Sequence, residues 1–270
     1  MYLNNIEKNT SVNPLAEEIK IGLDNKDHDK AVLLLHGFGG RTSNWQYIAN
    51  RIYEEENIPV YVPRLPGHGT NLSDFLNSGA DQWLRKSFDS YLFLKKNYKD
   101  IYLAGLSMGG ILAAIIASEF EVKKLSMAAP AFYTTSKTIV FTPILKYFIK
   151  KIDNNFVLEN EEELSEQAIH YHNNYSKDYY PKQLAELYKL MLKARKSAEK
   201  IKVPTQLILT DNDELVDTPK INKFLNKKMG HYLTDIKIYQ ETPHVITNSI
   251  EKERCADDII NFFKSDFQVD

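Results

Sequence analysis

The sequence predicts an α/β protein in which a mostly parallel central sheet carries helices on both faces. Short, continuously apolar runs alternate along the chain with longer segments of helical periodicity, and this alternation is typical of parallel sheets that are covered on both faces. With 270 residues, 43% of them hydrophobic, the chain is long enough for a sizeable core. Ligands of such sheets bind at the carboxyl ends of the strands, so candidate site residues are expected in the loops that follow the strands.

Composition argues against several classes of protein. The chain has 34 basic and 36 acidic residues, which gives little support for a nucleic-acid partner. We expect neither a signal peptide nor a membrane span, because the N-terminus lacks an apolar core region and no 18 apolar residues run together. The single cysteine, Cys255, excludes an intramolecular disulfide and favours a cytoplasmic location. The spacing of His170 and His172 does not predict a metal site, and no cofactor is expected. The composition leaves the oligomeric state open.

The first hundred residues are predicted to form strand, loop and helix units. We expect an edge strand near 18–21, buried strands over 31–35 and 60–62, and helices over 42–55 and 82–98. The first buried strand runs into a glycine-rich loop, HGFGG. If this strand lies beside the one that precedes Ser107, the N–H of Phe38 becomes a candidate oxyanion-hole donor; the alternative is a loop that only reverses the chain. His68 precedes Ser107 and is interpreted as a structural loop residue.

The stretch 101–117, IYLAGLSMGGILAAIIA, predicts a strand, a sharp turn and a helix. Ser107 falls at the turn within the pattern G-x-S-x-G, which is typical of a nucleophile elbow. Glycines on either side allow the close approach of strand and helix, and the N–H of Met108 at the helix start is a candidate oxyanion donor. The alternative is a glycine-rich turn after a buried strand of some other α/β protein.

The next two predicted strands, 124–129 and 206–210, lie unusually far apart in the sequence. An ordinary crossover is much shorter, so residues 132–200 are predicted to form an inserted, mainly helical cap. Apolar residues at helical spacing predict one amphipathic helix there, whose face would bind substrate; its candidates are Phe141, Ile144, Leu145 and Phe148, continued by Ile149 and Ile152. Lysines 146, 150 and 151 leave membrane contact as a less favoured alternative.

The last third of the chain supplies an acid and a base in the order that a serine nucleophile requires. The strand 206–210 ends in an acidic loop with Asp211 and Asp213, and a final strand at 236–239 precedes His244. A helix over 251–263 closes the chain. Taken singly, the acids can be turn residues and the histidine a bystander.

These motifs together resemble the α/β-hydrolases, and more closely the bacterial monoacylglycerol lipases and carboxylesterases. The residues that carry the resemblance are LLLHGFGG (33–40), PRLPGHGT (63–70), GLSMGG (105–110), LTDNDELV (209–216) and PHVIT (243–247). The resemblance implies Ser107 as nucleophile, Asp213 as acid, His244 as base, and the amides of Phe38 and Met108 as oxyanion hole. With the inserted cap of residues 132–200, the expected core consists of residues 1–131 and 201–270.

The expected activity is hydrolysis of short- to medium-chain acyl esters through an acyl-enzyme, on a small-molecule or lipid-like substrate. The alternatives are a lysophospholipase, and an amide or C–C bond hydrolase that uses the same triad, since fold and triad do not fix the substrate. A binding module that keeps the scaffold without catalysis is a third alternative. Such a module would be expected to have lost the serine, the acid or the histidine, and all three are present.

Overall fold

A seven-stranded sheet forms the centre of the computed structural model, which describes residues 5–8, 10–25, 28–153, 165–240 and 242–266. Its strands are β1 (Ile19–Ile21), β2 (Lys30–Leu35), β3 (Val60–Val62), β4 (Asp100–Leu106), β5 (Lys124–Ala128), β8 (Thr205–Thr210) and β9 (Leu233–Tyr239). Their spatial order is β1-β3-β2-β4-β5-β8-β9. Only β1 at the edge runs antiparallel to its neighbour. The predicted mostly parallel sheet is therefore confirmed.

Strand β4 lies in the middle of the sheet, hydrogen-bonded to β2 on one side and to β5 on the other. The apolar residues of β2 and β4 are buried along their whole length, as expected for strands covered on both faces. The register pairs Leu35 with Gly105. The loops that follow β2 and β4 consequently emerge side by side. Phe38 is a candidate oxyanion-hole donor only if these two strands are neighbours, and they are.

Helices cover the sheet in two groups. The helices are α1 (Gln46–Glu56), α2 (Leu72–Leu76), α3 (Ala80–Lys95), α4 (Met108–Glu119), α5 (Thr142–Leu145), α6 (Glu166–Tyr175), α7 (Pro181–Ser197), α8 (Thr218–Met229) and α9 (Lys252–Lys264). Helices α1 and α9 pack together, and α3 and α7 pack on α4. Every residue of α4 from Met108 to Ala117 is buried, which suits a helix that is apolar all round.

Between β5 and β8 the chain forms helices α5, α6 and α7 and a two-stranded ribbon, β6 (Ile152–Asp153) and β7 (Asp178–Tyr179). Residues 154–164, part of the predicted cap, lie outside the described residues. Helices α5, α6 and α7 make up much of the described part of this segment, and the ribbon was not expected. We call residues 132–200 the inserted segment.

The single amphipathic helix predicted over 141–152 is wrong. Helix α5 ends at Leu145, and the chain then turns into β6, where Ile152 pairs with Tyr179. The apolar side chains at this place are largely exposed: 57% for Phe141, 63% for Ile144 and 80% for Phe148. A helix gains most of its stability when its apolar face packs on the protein. The apolar side chains that follow Leu145 are too exposed to stabilise a longer helix. Leu145 is half-buried.

Within the described parts of the chain, no helix combines the length and the apolar composition that crossing a membrane requires.

Candidate active site

The predicted serine, acid and histidine all follow the carboxyl ends of parallel strands in one half of the sheet. Ser107 follows β4, Asp213 follows β8 and His244 follows β9. These strands run parallel in the order β4-β5-β8-β9. Their loops therefore converge on one edge of the sheet, where ligands of this architecture bind.

Ser107 occupies a strained turn between β4 and α4. Its backbone has φ 55° and ψ −115°, a conformation that costs a non-glycine residue about 1–3 kcal/mol. Four backbone hydrogen bonds hold it there: its N–H donates to Ala128 O at 2.9 Å, and its carbonyl accepts from Gly110 N at 3.0 Å, Ala131 N at 3.1 Å and Ile111 N at 3.3 Å. Ser107 is partly exposed while its neighbours on both sides are buried. The turn thus presents the serine at the edge of the sheet.

The glycines of the turn allow an approach that no side chain would tolerate. A Cβ atom on Gly109 would lie 2.0 Å from Leu35 O, and one on Gly105 would lie 2.2 Å from Gly109 O. Because backbone atoms cannot yield at such distances, any other residue would push α4 away from β2 and β4. The G-x-S-x-G pattern is therefore explained by close packing on both sides of Ser107.

Asp213 and His244 form a largely buried hydrogen-bonded pair. His244 Nδ1 lies 2.7 Å from Asp213 Oδ2, and the Asp213 side chain is fully buried while that of His244 is 12% exposed. Asp213 Oδ1 also accepts from Leu215 N at 2.8 Å and Val216 N at 2.9 Å. An ionised carboxylate only accepts hydrogen bonds, so Nδ1 of the neutral imidazole carries the proton and Nε2 is left as the basic nitrogen. Asp211, the other acid of the loop, is exposed.

The loop after β2 packs directly against Ser107. A Cβ built on Gly37 would lie 3.3 Å from Ser107 Cβ. The carbonyl of Gly37 accepts two hydrogen bonds, from Gly40 N at 3.0 Å and from His36 Nδ1 at 3.0 Å. In a trans peptide the N–H points opposite to the C=O, so fixing the Gly37 carbonyl also fixes the direction of the Phe38 N–H.

Two backbone N–H groups at this edge have no hydrogen-bond acceptor among the residues that the structure describes. No residue in the described ranges accepts a hydrogen bond from the N–H of Phe38 or of Met108. For Met108 the reason is general, because the first N–H groups of a helix have no partner within it, and the helix dipole adds a partial positive charge there. Both groups are thus available to an anionic or carbonyl oxygen.

Two buried histidines brace the loops on either side of the site. His36 Nε2 accepts from Leu65 N at 3.1 Å, and His68 Nε2 accepts from Gly39 N at 3.1 Å while His68 Nδ1 donates to Pro66 O at 3.1 Å. Burial lowers the pKa of His36 to about 4 and holds that of His68 well below its usual value. Both rings are therefore neutral at pH 7. The structural role expected for His68 agrees with these bonds, whereas a role for His36 was missed, although its position beside Gly37 was a signal.

The inserted segment reaches this edge through Thr135, whose N–H donates to Leu215 O at 3.1 Å. The substrate-binding candidates Phe141, Ile144, Leu145 and Phe148 follow a few residues later and are exposed or half-buried. The structure thus pairs Asp213 with His244 and sets the Phe38 loop against Ser107. The four apolar candidates form part of the outer surface.

Several known proteins with related sequences are esterases or lipases. The chain is 27% identical over 245 residues to a carboxylesterase of Bacillus subtilis, with 88% of this chain and 94% of the relative covered. It is 26% identical over 219 residues to the human monoacylglycerol lipase ABHD6, with 70% of this chain and 63% of the relative covered. A thermostable monoacylglycerol lipase of Bacillus sp. H-257 is 36% identical over 86 residues, which are 32% of this chain and 34% of that protein.

Solved structures show the same fold at lower sequence identity. A structure reported for LipS and LipT, two metagenome-derived lipolytic enzymes, superposes with a TM-score of 0.78 at 20% identity and covers 94% of this chain and 99% of its own. A monoacylglycerol lipase of Paleococcus ferrophilus gives a TM-score of 0.66 at 16% identity, covering 91% and 98% of the two chains.

The family model described as "Serine aminopeptidase, S33" matches residues 26–251. That range spans six of the seven strands of the sheet, all but β1. It also includes the turn at Ser107, the acidic loop and His244. The chain therefore belongs to the serine aminopeptidase S33 family of α/β-hydrolases.

Proposed function

We propose that this hydrolase cleaves short- to medium-chain acyl esters with Ser107 as nucleophile, His244 as base and Asp213 as the acid that orients the base. The observation that carries the proposal is the largely buried Asp213–His244 hydrogen bond at the edge of the sheet where the strained Ser107 turn is partly exposed. The carboxylesterase and monoacylglycerol lipase relatives support the choice of an ester as substrate.

The reaction follows from the protonation state of this pair. The Ser107 hydroxyl attacks the ester carbonyl carbon and gives its proton to His244 Nε2. Asp213 stabilises the imidazolium without taking a proton. The tetrahedral intermediate collapses, and the alcohol leaves with the proton from Nε2, which leaves an acyl group on Ser107. Water then attacks the acyl-enzyme with His244 again as base, and the carboxylic acid is released with the serine restored.

The developing oxyanion is assigned to the N–H groups of Phe38 and Met108. Both lack an acceptor among the described residues, and their loops flank Ser107. Such preorganised donors commonly contribute about 100- to 1000-fold to kcat each. The proposed oxyanion hole therefore consists of backbone N–H groups alone.

The inserted segment is proposed to cap the site and to bind the acyl chain through Phe141, Ile144, Leu145 and Phe148. Thr135, a few residues before them, bonds to the acidic loop. Phe141, Ile144 and Phe148 are exposed and offer a surface that an alkyl chain can cover. Each CH₂ group removed from water contributes about 0.8 kcal/mol. Binding is then expected to tighten with chain length until the surface is covered.

Amide hydrolysis is the second candidate, because the matching family is described as a serine aminopeptidase. The same nucleophile, base and oxyanion donors serve either leaving group. An amino-acid p-nitroanilide is therefore included as a test substrate beside the esters. Faster turnover of the anilide than of every ester would replace the ester proposal with the amide one.

The proposal is tested with a panel of p-nitrophenyl and glyceryl esters of increasing chain length, on the wild type and on Ser107→Ala. We expect the wild type to hydrolyse the esters and to be labelled once by a fluorophosphonate. Ser107→Ala should lose both properties while its circular dichroism spectrum is unchanged, because Ser107 is assigned as the only activated hydroxyl. Stoichiometric labelling of the variant at another residue would refute the assignment.

A cytoplasmic location is also proposed. The one cysteine, Cys255, is a free and buried thiol, which suits a reducing compartment. Fractionation of the source cells with an antibody to the chain would test it, and recovery outside the cytoplasm would contradict it.

A further inference from the structure

Helix α6 of the inserted segment is bound tightly to a core loop beside the site. Its Asn174 Oδ1 accepts from Leu72 N at 2.9 Å, its Tyr175 hydroxyl accepts from Thr70 N at 2.7 Å, and its His170 Nε2 donates to Thr70 O at 3.2 Å. Several polar contacts thus fix α6 on the loop that precedes α2. This part of the inserted segment contrasts with the exposed stretch around α5.

From this helix, Tyr171 reaches the loop that carries Phe38. The side chain is buried, and its hydroxyl donates to the carbonyl oxygen of Gly40. Burial raises the pKa of Tyr171 well above its usual value, so the phenol keeps the proton that it donates. The guanidinium of Arg41 lies over the ring, 5.3 Å from its centroid, and adds a cation–π contact that holds the ring beside the loop.

Gly40 is the residue through which this contact bears on the Phe38 N–H. Its own N–H closes the turn by donating to Gly37 O at 3.0 Å. Because that carbonyl belongs to the same planar peptide as the Phe38 N–H, the position of Gly40 helps to set where the N–H points. Two anchors therefore act on the Gly37 carbonyl: His36 directly, and Tyr171 by way of Gly40.

We propose that Tyr171 is a positioning residue for the oxyanion hole, which holds the Gly37–Gly40 turn so that the Phe38 N–H is directed at the reacting oxygen. The inference rests on the proposed function, because it takes the Phe38 N–H to be an oxyanion donor. The inserted segment would then contribute to catalysis indirectly, because its helix α6 holds the turn that carries the Phe38 N–H. Tyr171 acts through the backbone of this turn.

The test is Tyr171→Phe, which removes the hydroxyl and keeps the ring. We expect kcat on p-nitrophenyl butyrate to fall about tenfold, because a misdirected Phe38 N–H would lose about the strength of one hydrogen bond to the oxyanion in the transition state. KM should change less than about twofold. A trifluoromethyl ketone, whose hemiketal oxyanion occupies the same hole, should lose affinity by the factor by which kcat/KM falls. A merely structural role would leave the inhibitor affinity of the folded protein unchanged.

The matched control is Tyr91→Phe, because Tyr91 is a buried tyrosine on α3 whose hydroxyl donates to the carbonyl of Glu121 at 2.8 Å. It should lower the unfolding midpoint as Tyr171→Phe does and leave kcat unchanged. Restoring a donor with 4-aminophenylalanine at position 171 should recover most of kcat. If Tyr171→Phe folds poorly, 4-aminophenylalanine is compared with 4-methylphenylalanine at the same position, two rings of similar size of which only one donates.

The outcomes separate this inference from the proposed function. An active wild type with a Tyr171→Phe variant of unchanged kcat and unchanged inhibitor affinity would overturn the positioning role and leave the ester hydrolase intact. An equal fall in kcat for Tyr91→Phe would also overturn it. A wild type without activity on any ester or anilide would overturn both.

Discussion

At the residue scale, the acidic loop after β8 holds two aspartates with different surroundings. Asp213 is buried and bonded to His244 and to two backbone N–H groups, whereas Asp211 is exposed. An asparagine at 213 would offer an amide N–H to His244 Nδ1 and so favour the tautomer with the proton on Nε2, which cannot act as a base.

We therefore expect Asp213→Asn to lower kcat by about a thousandfold or more, and Asp211→Asn to change it by less than about threefold. Steady-state kinetics on p-nitrophenyl butyrate measures both, and Asp211→Asn serves as the matched control for removing one negative charge from this loop. If the two severities were reversed, the acid would be Asp211.

At the element scale, α5 and the turn that follows it present apolar side chains to solvent. An aspartate in place of Phe148 would put a charge where an acyl chain is proposed to lie, and the charge would lose solvation when that chain covers it. We expect kcat/KM of Phe148→Asp to fall about tenfold for an octanoyl ester and less than twofold for an acetyl ester, which is too short to reach the surface.

The matched control is Phe93→Asp, which changes a 46% exposed phenylalanine on α3 and should leave both esters unaffected. Equal losses of Phe148→Asp on the two esters, with the fold retained, would contradict a selective role in acyl-chain binding. The membrane alternative predicts instead that short esters are unaffected and that neutralising lysines 146, 150 and 151 abolishes sedimentation with anionic vesicles.

The same region shows where sequence reasoning succeeds and where it fails. Strands β2, β4 and β8 were predicted within a few residues because each is a short apolar run that is buried in the sheet. The 141–152 helix was wrong because periodicity reports a one-sided apolar pattern, but not whether that side packs on anything. Tyr171 could not be found from the sequence, since its partner Gly40 lies 131 residues away.

At the scale of the whole molecule, the buried neutral histidines couple stability to pH. The pKa of His36 is about 4 in the fold and about 6.5 in an unfolded chain, so between these values the unfolded chain binds a proton that the native protein excludes. The stabilisation is complete above pH 6.5 and is lost as the pH falls toward 4, by up to about 1.4 kcal/mol per pH unit. His68, whose pKa is also lowered, acts in the same direction.

We therefore expect the urea midpoint of the wild type to drop between pH 7.5 and 5.5, a range in which most carboxylates stay ionised. The control is His36→Asn, which retains an N–H donor but does not titrate, and its profile over this range should be shallower. Parallel profiles for the two proteins would show that His36 does not contribute to the pH dependence.

The length of the connection between β5 and β8 has a consequence for how this protein can change. The two strands pair directly although roughly 75 residues separate them. The entropic cost of closing a loop grows only with the logarithm of its length. Compared with a ten-residue crossover, the long connection costs the sheet about 2 kcal/mol. Chimeras that exchange the inserted segment for one from another hydrolase should therefore keep the sheet folded, yet turn over slowly unless the graft brings its own donor to Gly40 O.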